Sequence, residues 1–411
     1  MSKKIKLIHT GDLHLGVENY GKNVDNLPVN TRVIDFLQSF DYIVSFAIDK
    51  DVDLFLITGD IYEQREPSIY IQNEFSRRII RLLEANIPIV LLIGNHDSLA
   101  TIKRISSLQI FRELKIPDIY VIDEPSVVKI NTKSGVVQVA GLPYIEKSRL
   151  KEFFRNFLIK DSDKSEAASA IIRKLIENLK ESLEKEYPAI LTAHLTLREA
   201  IYQNWHPTII GNELYVSLDT LKDNAFSYVA LGHIHKPQSF NLKPEIAYCG
   251  SMETVDFGEA NFEHGFIFLN IGKDGVEKEF IPIPGSRKFI TISLEASKDS
   301  DFNTEIIREL IERDAKNDIV RINLVVNDST LSIDENEIYK NATKYCFNLS
   351  SVKIERKRNR TTRISGLTSE NSPIEALGKY IDSGTDSVIK ENKKELIELT
   401  YNLLREIYEK K

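Results

Sequence analysis

The chain has 411 residues, more than one domain usually takes, so two or more units are expected. Its 42% hydrophobic and 28% charged residues exclude the disordered and fibrous classes. A formal net charge of −7 offers no general attraction to nucleic acid, so contact with a polyanion has to come from a local basic stripe.

Met1-Ser2-Lys3-Lys4 runs directly into an alternating apolar segment, with no secretory apolar core or small-residue cleavage site. No apolar run approaches the ~20 residues that span a bilayer. The only cysteines are Cys249 and Cys346. The expectation is a disulfide-free cytoplasmic protein, nucleoid-associated if prokaryotic, with no membrane partner.

From residue 5 to about 285, apolar runs alternate with longer amphipathic segments, the pattern of a layered α/β domain. Buried strands are predicted at Ile5 to Thr10, Leu54 to Thr58, Ile89 to Ile93, Ile190 to Ala193 and Tyr228 to Leu231. Each run stops at a cluster of Gly, His, Asp or Asn rather than at an ordinary turn. Helices are predicted at Asn30 to Lys50, Ser68 to Ala85, Ala100 to Leu114 and Ser165 to Glu186, with Pro88, Pro117 and Pro188 as stops. Strands near Val127 to Asn131, Val136 to Ala140, Ile246 to Cys249 and Phe266 to Ile271 are assigned to a second sheet packed on the first.

Composition shifts at Pro282-Ile283-Pro284-Gly285, which sets the first unit at 1–285. Residues 286–360 read strand, helix, strand, helix, strand, a smaller α/β unit. Residues 361–371 are a polar linker. Residues 372–411 hold two helices, the first opened by the capping box Ser372-Pro373-Ile374-Glu375. The second carries Leu396, Leu399, Leu403 and Ile407 on one stripe, widened by Ile397, Tyr401, Leu404 and Tyr408 beyond what a solvated helix needs.

Hydrolysing a phosphodiester needs an activated water, neutralised nonbridging oxygens and support for the leaving oxygen, and two metal ions about 3.5–4 Å apart supply all three. Holding such a pair takes a carboxylate able to bridge them and several neutral donors from different strands. The candidates are Asp12 and His14 in Gly11-Asp12-Leu13-His14, Asp60 in Gly59-Asp60, Asn95 and His96 in Gly94-Asn95-His96-Asp97, His194, and His233 with His235 in Gly232-His233-Ile234-His235. Any one of these motifs alone reads as an ordinary loop; as an ordered series of strand ends they read as a metal site. His9 lies inside the first strand and is not a proposed ligand. His206 and His264 lack neighbouring ligands and are read as surface or loop residues.

The order Asp-x-His, Gly-Asp, Gly-Asn-His-Asp, single His, Gly-His-x-His resembles the calcineurin-like metallophosphoesterase superfamily. Within it, His9-Thr10-Gly11-Asp12-Leu13-His14-Leu15-Gly16 and Gly232-His233-Ile234-His235-Lys236-Pro237-Gln238 look like the SbcD branch, which includes the meiotic-recombination-eleven nuclease. The resemblance implies a two-sheet sandwich flanked by helices, a smaller α/β DNA-capping domain and a C-terminal helical pair. It implies one ion on Asp12, His14, Asp60 and His235 and a second on Asp60, Asn95, His194 and His233, with Asp60 bridging. His96 would act at the leaving oxygen, and Asp97 would orient its imidazole. Two Mn2+ are the implied cofactors, with Mg2+ or another divalent ion as alternatives.

Many family members carry a His three residues after the bridging Asp, where this chain has Glu63. Glu63 offers phosphate no cation, so an endonuclease bias is an expectation. Implied partners are DNA, an SbcC or Rad-fifty-type ATPase docked on the C-terminal helices, and a second copy of the chain. The dimer would pair the two helices that carry Ile69, Phe75, Ile79, Ile105, Leu108 and Phe111. Lys353 to Arg363 holds six basic residues and one acidic, a local stripe suited to a phosphate backbone. The alternatives are a phosphatase or phosphodiesterase acting on other substrates, and a weakly active DNA-tethering subunit.

Overall fold

The computed structural model describes residues 4–98, 106–145, 164–200, 215–273, 275–297, 301–326, 332–356, 372–383 and 392–409. Two compact units emerge: one takes Met1–Leu294, Asp301–Asn323 and Asp334–Lys353, the other Glu295–Ser300, Leu324–Ile333 and Ile354–Lys411.

In chain order the first part runs β1 (Ile5–Thr10), α1 (Thr31–Asp49), β2 (Leu54–Ile57), α2 (Ile69–Glu84), β3 (Ile89–Leu92), α3 (Gln109–Glu113), β4 (Ile119–Ile122), β5 (Ser126–Thr132) and β6 (Gly135–Leu142). Next come α4 (Lys164–Glu181), β7 (Ala189–His194), the short β8 (Thr196–Leu197) and β9 (Tyr215–Val216), β10 (Tyr228–Gly232), β11 (Gln238–Phe240), β12 (Glu245–Tyr248), β13 (Gly265–Gly272) and β14 (Gly275–Pro282).

Two six-stranded sheets result, in the orders β14-β13-β1-β2-β3-β4 and β11-β12-β10-β7-β6-β5. β1, β2, β3 and β4 run parallel, as do β6, β7, β10 and β12. Parallel strands are covered on both faces, which is why they read as unbroken apolar runs. Alternation along each strand then divides the core. Leu54, Leu56, Val90 and Leu92 meet Val137, Val139, Ile190 and Tyr228 between the sheets. Phe55, Ile57, Ile89 and Leu91 face the other way, against Phe36, Phe40 and Phe75 of α1 and α2. Leu191, Val229 and Leu231 turn outward onto Ile172, Ile176 and Leu179 of α4. The layers are helix, sheet, sheet, helix, as the sequence led us to expect.

Membership of the sheets differs from the expectation. β13 belongs to the first sheet, antiparallel to β1 from Ile5↔Ile271 to His9↔Ile267. β7 and β10, whose ends carry candidate ligands, belong to the second. Apolar runs identify strands, but which sheet a strand joins depends on long-range pairing that no local pattern records.

Helix boundaries follow their caps. Asn30 accepts the N–H groups of Arg32 and Val33 to open α1, and Ser68 accepts that of Ile71 to open α2. Of the predicted helix at Ala100 to Leu114, the part up to and including Ile105 lies outside the described residues, and the described part is helical only over Gln109–Glu113. The proposed dimer stripe is corrected in part. Phe75, Ile79, Leu108 and Phe111 are buried in the domain's own core, while Ile69, Ile80, Ile110 and Leu114 are exposed.

Beyond Gly285 the chain forms β15 (Phe289–Ala296), α5 (Phe302–Glu312), β16 (Ile319–Val326), α6 (Glu335–Ala342) and β17 (Asn348–Arg356), with sheet order β15-β16-β17. Within the larger unit, Arg287 donates to Asp35 of α1 at 2.8 Å and lies 3.7 Å from the centre of the Phe347 ring. Asn348 donates to the Tyr20 carbonyl at 2.7 Å. Of the basic run, Lys353 to Arg356 are described and the rest lies outside the described residues.

In the smaller unit, α7 (Pro373–Ser383) opens on the capping box read from the sequence. Ser372 Oγ accepts the Glu375 N–H at 3.2 Å and Glu375 Oε2 accepts the Ser372 N–H at 2.9 Å. α8 (Lys393–Glu409) follows and leaves Leu399, Tyr401 and Leu403 exposed. Among the described residues, no helix is long and apolar enough to cross a membrane.

Candidate metal centre

Every candidate ligand lies at or just beyond the carboxyl end of a parallel strand: Asp12 and His14 after β1, Asp60 after β2, Asn95 after β3, His194 at the end of β7, His233 and His235 after β10. In open α/β sheets this is the edge where ligands bind. The loops after β1 and β2 are laced together, with the N–H groups of Asp12, His14 and Leu15 donating to the carbonyls of Gly59, Asp60 and Ile61, each at 3.0 Å. Three candidates in these laced loops lie in the left-handed region, at φ 49° for Asp12, 43° for His14 and 50° for Asp60, and His233, whose N–H donates to the Asp12 carboxylate at 2.9 Å, has a positive φ of 99°. Such residues cost on the order of 1–3 kcal/mol each and persist only where the surroundings over-determine them.

Donor atoms gather in groups. One candidate ion-binding group is Asp12, His14 and His235, another is Asp60, His194 and His233. Asn95 joins the second group, its Oδ1 2.9 Å from both His194 Nε2 and His233 Nδ1. Asp60 Oδ2 stands between the groups, 3.3 Å from His194 Nε2 and 3.9 Å from His14 Nε2. Its other oxygen, Oδ1, accepts the His96 N–H at 2.8 Å. A carboxylate so placed is able to touch two ions at once.

The chemistry of the donors fits divalent cations. His14 Nδ1 donates to Glu63 Oε2 at 2.8 Å and His235 Nδ1 donates to Glu259 Oε1 at 2.5 Å. With both Nδ1 protons committed, the two Nε2 atoms present lone pairs to each other at 3.0 Å. Two lone pairs that close require a proton or a metal ion between them. Mixed nitrogen and oxygen donors suit a catalytic divalent ion better than a closed structural zinc site.

Electrostatics agrees. Burial opposes ionisation of Asp60, yet His194 beside it, with His14 and His96, holds its carboxyl far below the usual carboxylate range. Burial also opposes protonation of His194, but Asp60 and Asp12 raise it to about 9. His235 is likewise desolvated, and Glu259, Asp12 and Asp60 raise it to about 9. These carboxylates draw positive charge into the centre, which protons or metal ions supply in competition.

His96 and Asp97 divide differently from the expectation. The His96 imidazole is anchored by Nδ1 donating to the Glu63 carbonyl at 2.8 Å, and its ring meets that of His14 edge-on at 4.8 Å. The Asp97 carboxylate instead accepts the main-chain N–H groups of Ile61, Tyr62 and Gly94 at 3.1 to 3.2 Å. Burial and the charge of Asp60 push it up to about 6 against those N–H donors. Asp97 thus ties the loop after β2 to the loop after β3 and sets where His96 begins. Adjacency in sequence concealed this, because neighbouring side chains at a tight bend point apart.

His264 lies in the loop before β13, as one of its two readings has it, but not at the surface. It is buried, with Nδ1 3.0 Å from Ser251 Oγ, one bond removed from Glu259. His9 is fully buried between Tyr228 Oη and the Leu231 carbonyl. His206 lies outside the described residues. In the sequence Glu63 stands out only as a departure from the family's histidine, and Glu259 does not stand out at all. Its 24-residue separation from His235 left no signal in the sequence.

A family model described as calcineurin-like phosphoesterase matches residues 5–237, more than half of the chain. The chain belongs to that family of phosphoester hydrolases. Among solved structures it is similar to a dimetal phosphatase from Danio rerio, at 10% identity over 68% of this chain and 99% of that one, with a TM-score of 0.36. A second solved structure matches at 14% identity over 68% of this chain and 99% of its own, with a TM-score of 0.38.

Proposed function

We propose that this protein is a two-metal DNA nuclease of the SbcD type, using Mn2+ and working with an SbcC or Rad-fifty-type ATPase in double-strand-break repair. The observation that carries the reading is the pair of donor groups sharing Asp60 Oδ2, with His96 beside them. Asp12, His14, Asp60 and His235 would hold one ion, and Asp60, Asn95, His194 and His233 the other. Ions held there would supply an activated water and neutralise charge on the phosphate. His96 serves the leaving oxygen. Its Nδ1–H, committed to the Glu63 carbonyl, fixes the ring so that Nε2 is the nitrogen that hands over a proton.

Support for DNA over other phosphoesters comes from the α/β unit that follows Gly285, read as a capping domain, and from the basic run Lys353 to Arg363. Exposed Leu399, Tyr401 and Leu403 on α8 supply apolar surface for the ATPase. Exposed Ile69, Ile80, Ile110 and Leu114 supply surface for a second copy.

Labelled single- and double-stranded DNA incubated with the purified chain, with and without Mn2+ and beside a small phosphodiester, tests this. DNA cleavage that requires the metal is expected. His96→Ala should fall by about 100-fold or more in cleavage, the scale of a lost general acid, while still binding two ions. Cleavage of the small ester alone would overturn the DNA reading, and a fully active His96→Ala would overturn the role given to that residue.

A further inference from the structure

The two halves of the centre are supported differently behind their histidines. In the Asp12 half, both imidazoles rest on carboxylates, His14 on Glu63 and His235 on Glu259. In the Asn95 half, His194 Nδ1 rests on a neutral main-chain carbonyl, that of Thr58, at 2.8 Å.

Both glutamates are themselves held. Glu259 is buried, and its Oε2 accepts the Val255 N–H at 2.9 Å and lies 3.4 Å from Ser251 Oγ. Glu63 is fixed through its main chain, its N–H donating to the Leu15 carbonyl at 3.1 Å and its own carbonyl accepting from His96 at 2.8 Å. Each fixes the tautomer of an imidazole, aims Nε2 inward and makes that nitrogen a stronger donor.

Among the described residues the charges are uneven as well. Asp60 is common to both halves, and Asn95 contributes no charge to its own. Asp12, Glu63 and Glu259 all lie on the other side.

We propose that Glu63 and Glu259 are positioning residues that make the Asp12, His14 and His235 half the tighter of two unequal ion sites, filled first as a divalent ion is added. On this view Glu63, where relatives carry a histidine, strengthens ion binding rather than touching phosphate. The inference rests on the two-metal reading of the centre.

Titration of the full chain with Mn2+, following free aqueous Mn2+ by its electron paramagnetic resonance signal, tests it without any activity readout. The wild type should show two classes of site. Glu63→Gln and Glu259→Gln should each weaken the tight class by about 10- to 100-fold and leave the weak class unchanged, the usual effect of removing a partner behind a ligating histidine. Glu63→Asp should recover part of the loss, and Asn95→Ala should remove the weak class while sparing the tight one. Should Glu259→Gln fail to fold, Glu63→Gln at the partly exposed rim carries the test.

Wild-type affinity in Glu63→Gln, or equal weakening of both classes, would overturn the positioning role. A wild type that binds fewer than two ions would instead overturn the two-metal reading beneath it.

Discussion

Single residues in this protein are set by what burial does to charge. His9 sits inside β1 and is no ligand candidate, and the fold shows why it belongs there: its two nitrogens pair with Tyr228 Oη and the Leu231 carbonyl, joining the first sheet to the second. Burial lowers its pKa from 6.5 to about 3, so the folded protein keeps it neutral. Above pH 6.5 both folded and unfolded chains hold it neutral, and its contribution to stability is complete. As pH falls toward 3 the unfolded chain takes up a proton that the folded chain refuses, and stability is lost across that window, by roughly a few kcal/mol. His9→Gln removes the titration. Urea midpoints of the metal-free protein should therefore fall less steeply with decreasing pH in the variant than in the wild type. Parallel slopes would show that His9 is not held neutral.

At the scale of elements, strand ends and the bends after them make the centre. A Cβ at Gly94 would sit 2.1 Å from Asp60 Oδ1 and 2.3 Å from the Asp60 main-chain nitrogen. The absent side chain is what lets the loop after β3 close on the shared carboxylate. Gly94→Ala should cost about 1–3 kcal/mol by overpacking and reduce Mn2+ stoichiometry, measured by thermal denaturation and metal analysis. Full occupancy at unchanged stability would mean that the loops are not so closely fitted.

Much of this scale was legible in the sequence. The predicted strand Ile5 to Thr10 matches β1 to its last residue, because parallel strands covered on both faces leave unbroken apolar runs, and the ligand clusters mark themselves by ending those runs. What stayed hidden was non-local. The transfer of β7 and β10 to the second sheet depends on pairing across long separations. Phe75, Ile79, Leu108 and Phe111 fall on helical stripes whose spacing is the same whether they face a partner or the domain's own core. Glu63 and Glu259 reach the centre only through the histidines they support, and no motif spacing marks such a role.

For the whole molecule, the acidic total charge and the proposed DNA substrate are compatible if the basic run from Lys353 onward, rather than the general surface, meets the phosphate backbone. Everything proposed about cleavage and partners presumes a centre that takes two ions. The carboxyl ends of five parallel strands converge on it from both sheets, so it depends on the whole sandwich. Anomalous diffraction from crystals grown with excess Mn2+ tests it most directly. Two peaks about 3.5–4 Å apart, one on either side of Asp60 Oδ2, are expected. A single peak, or peaks with Asp60 turned away from both, would contradict a shared carboxylate between two ions.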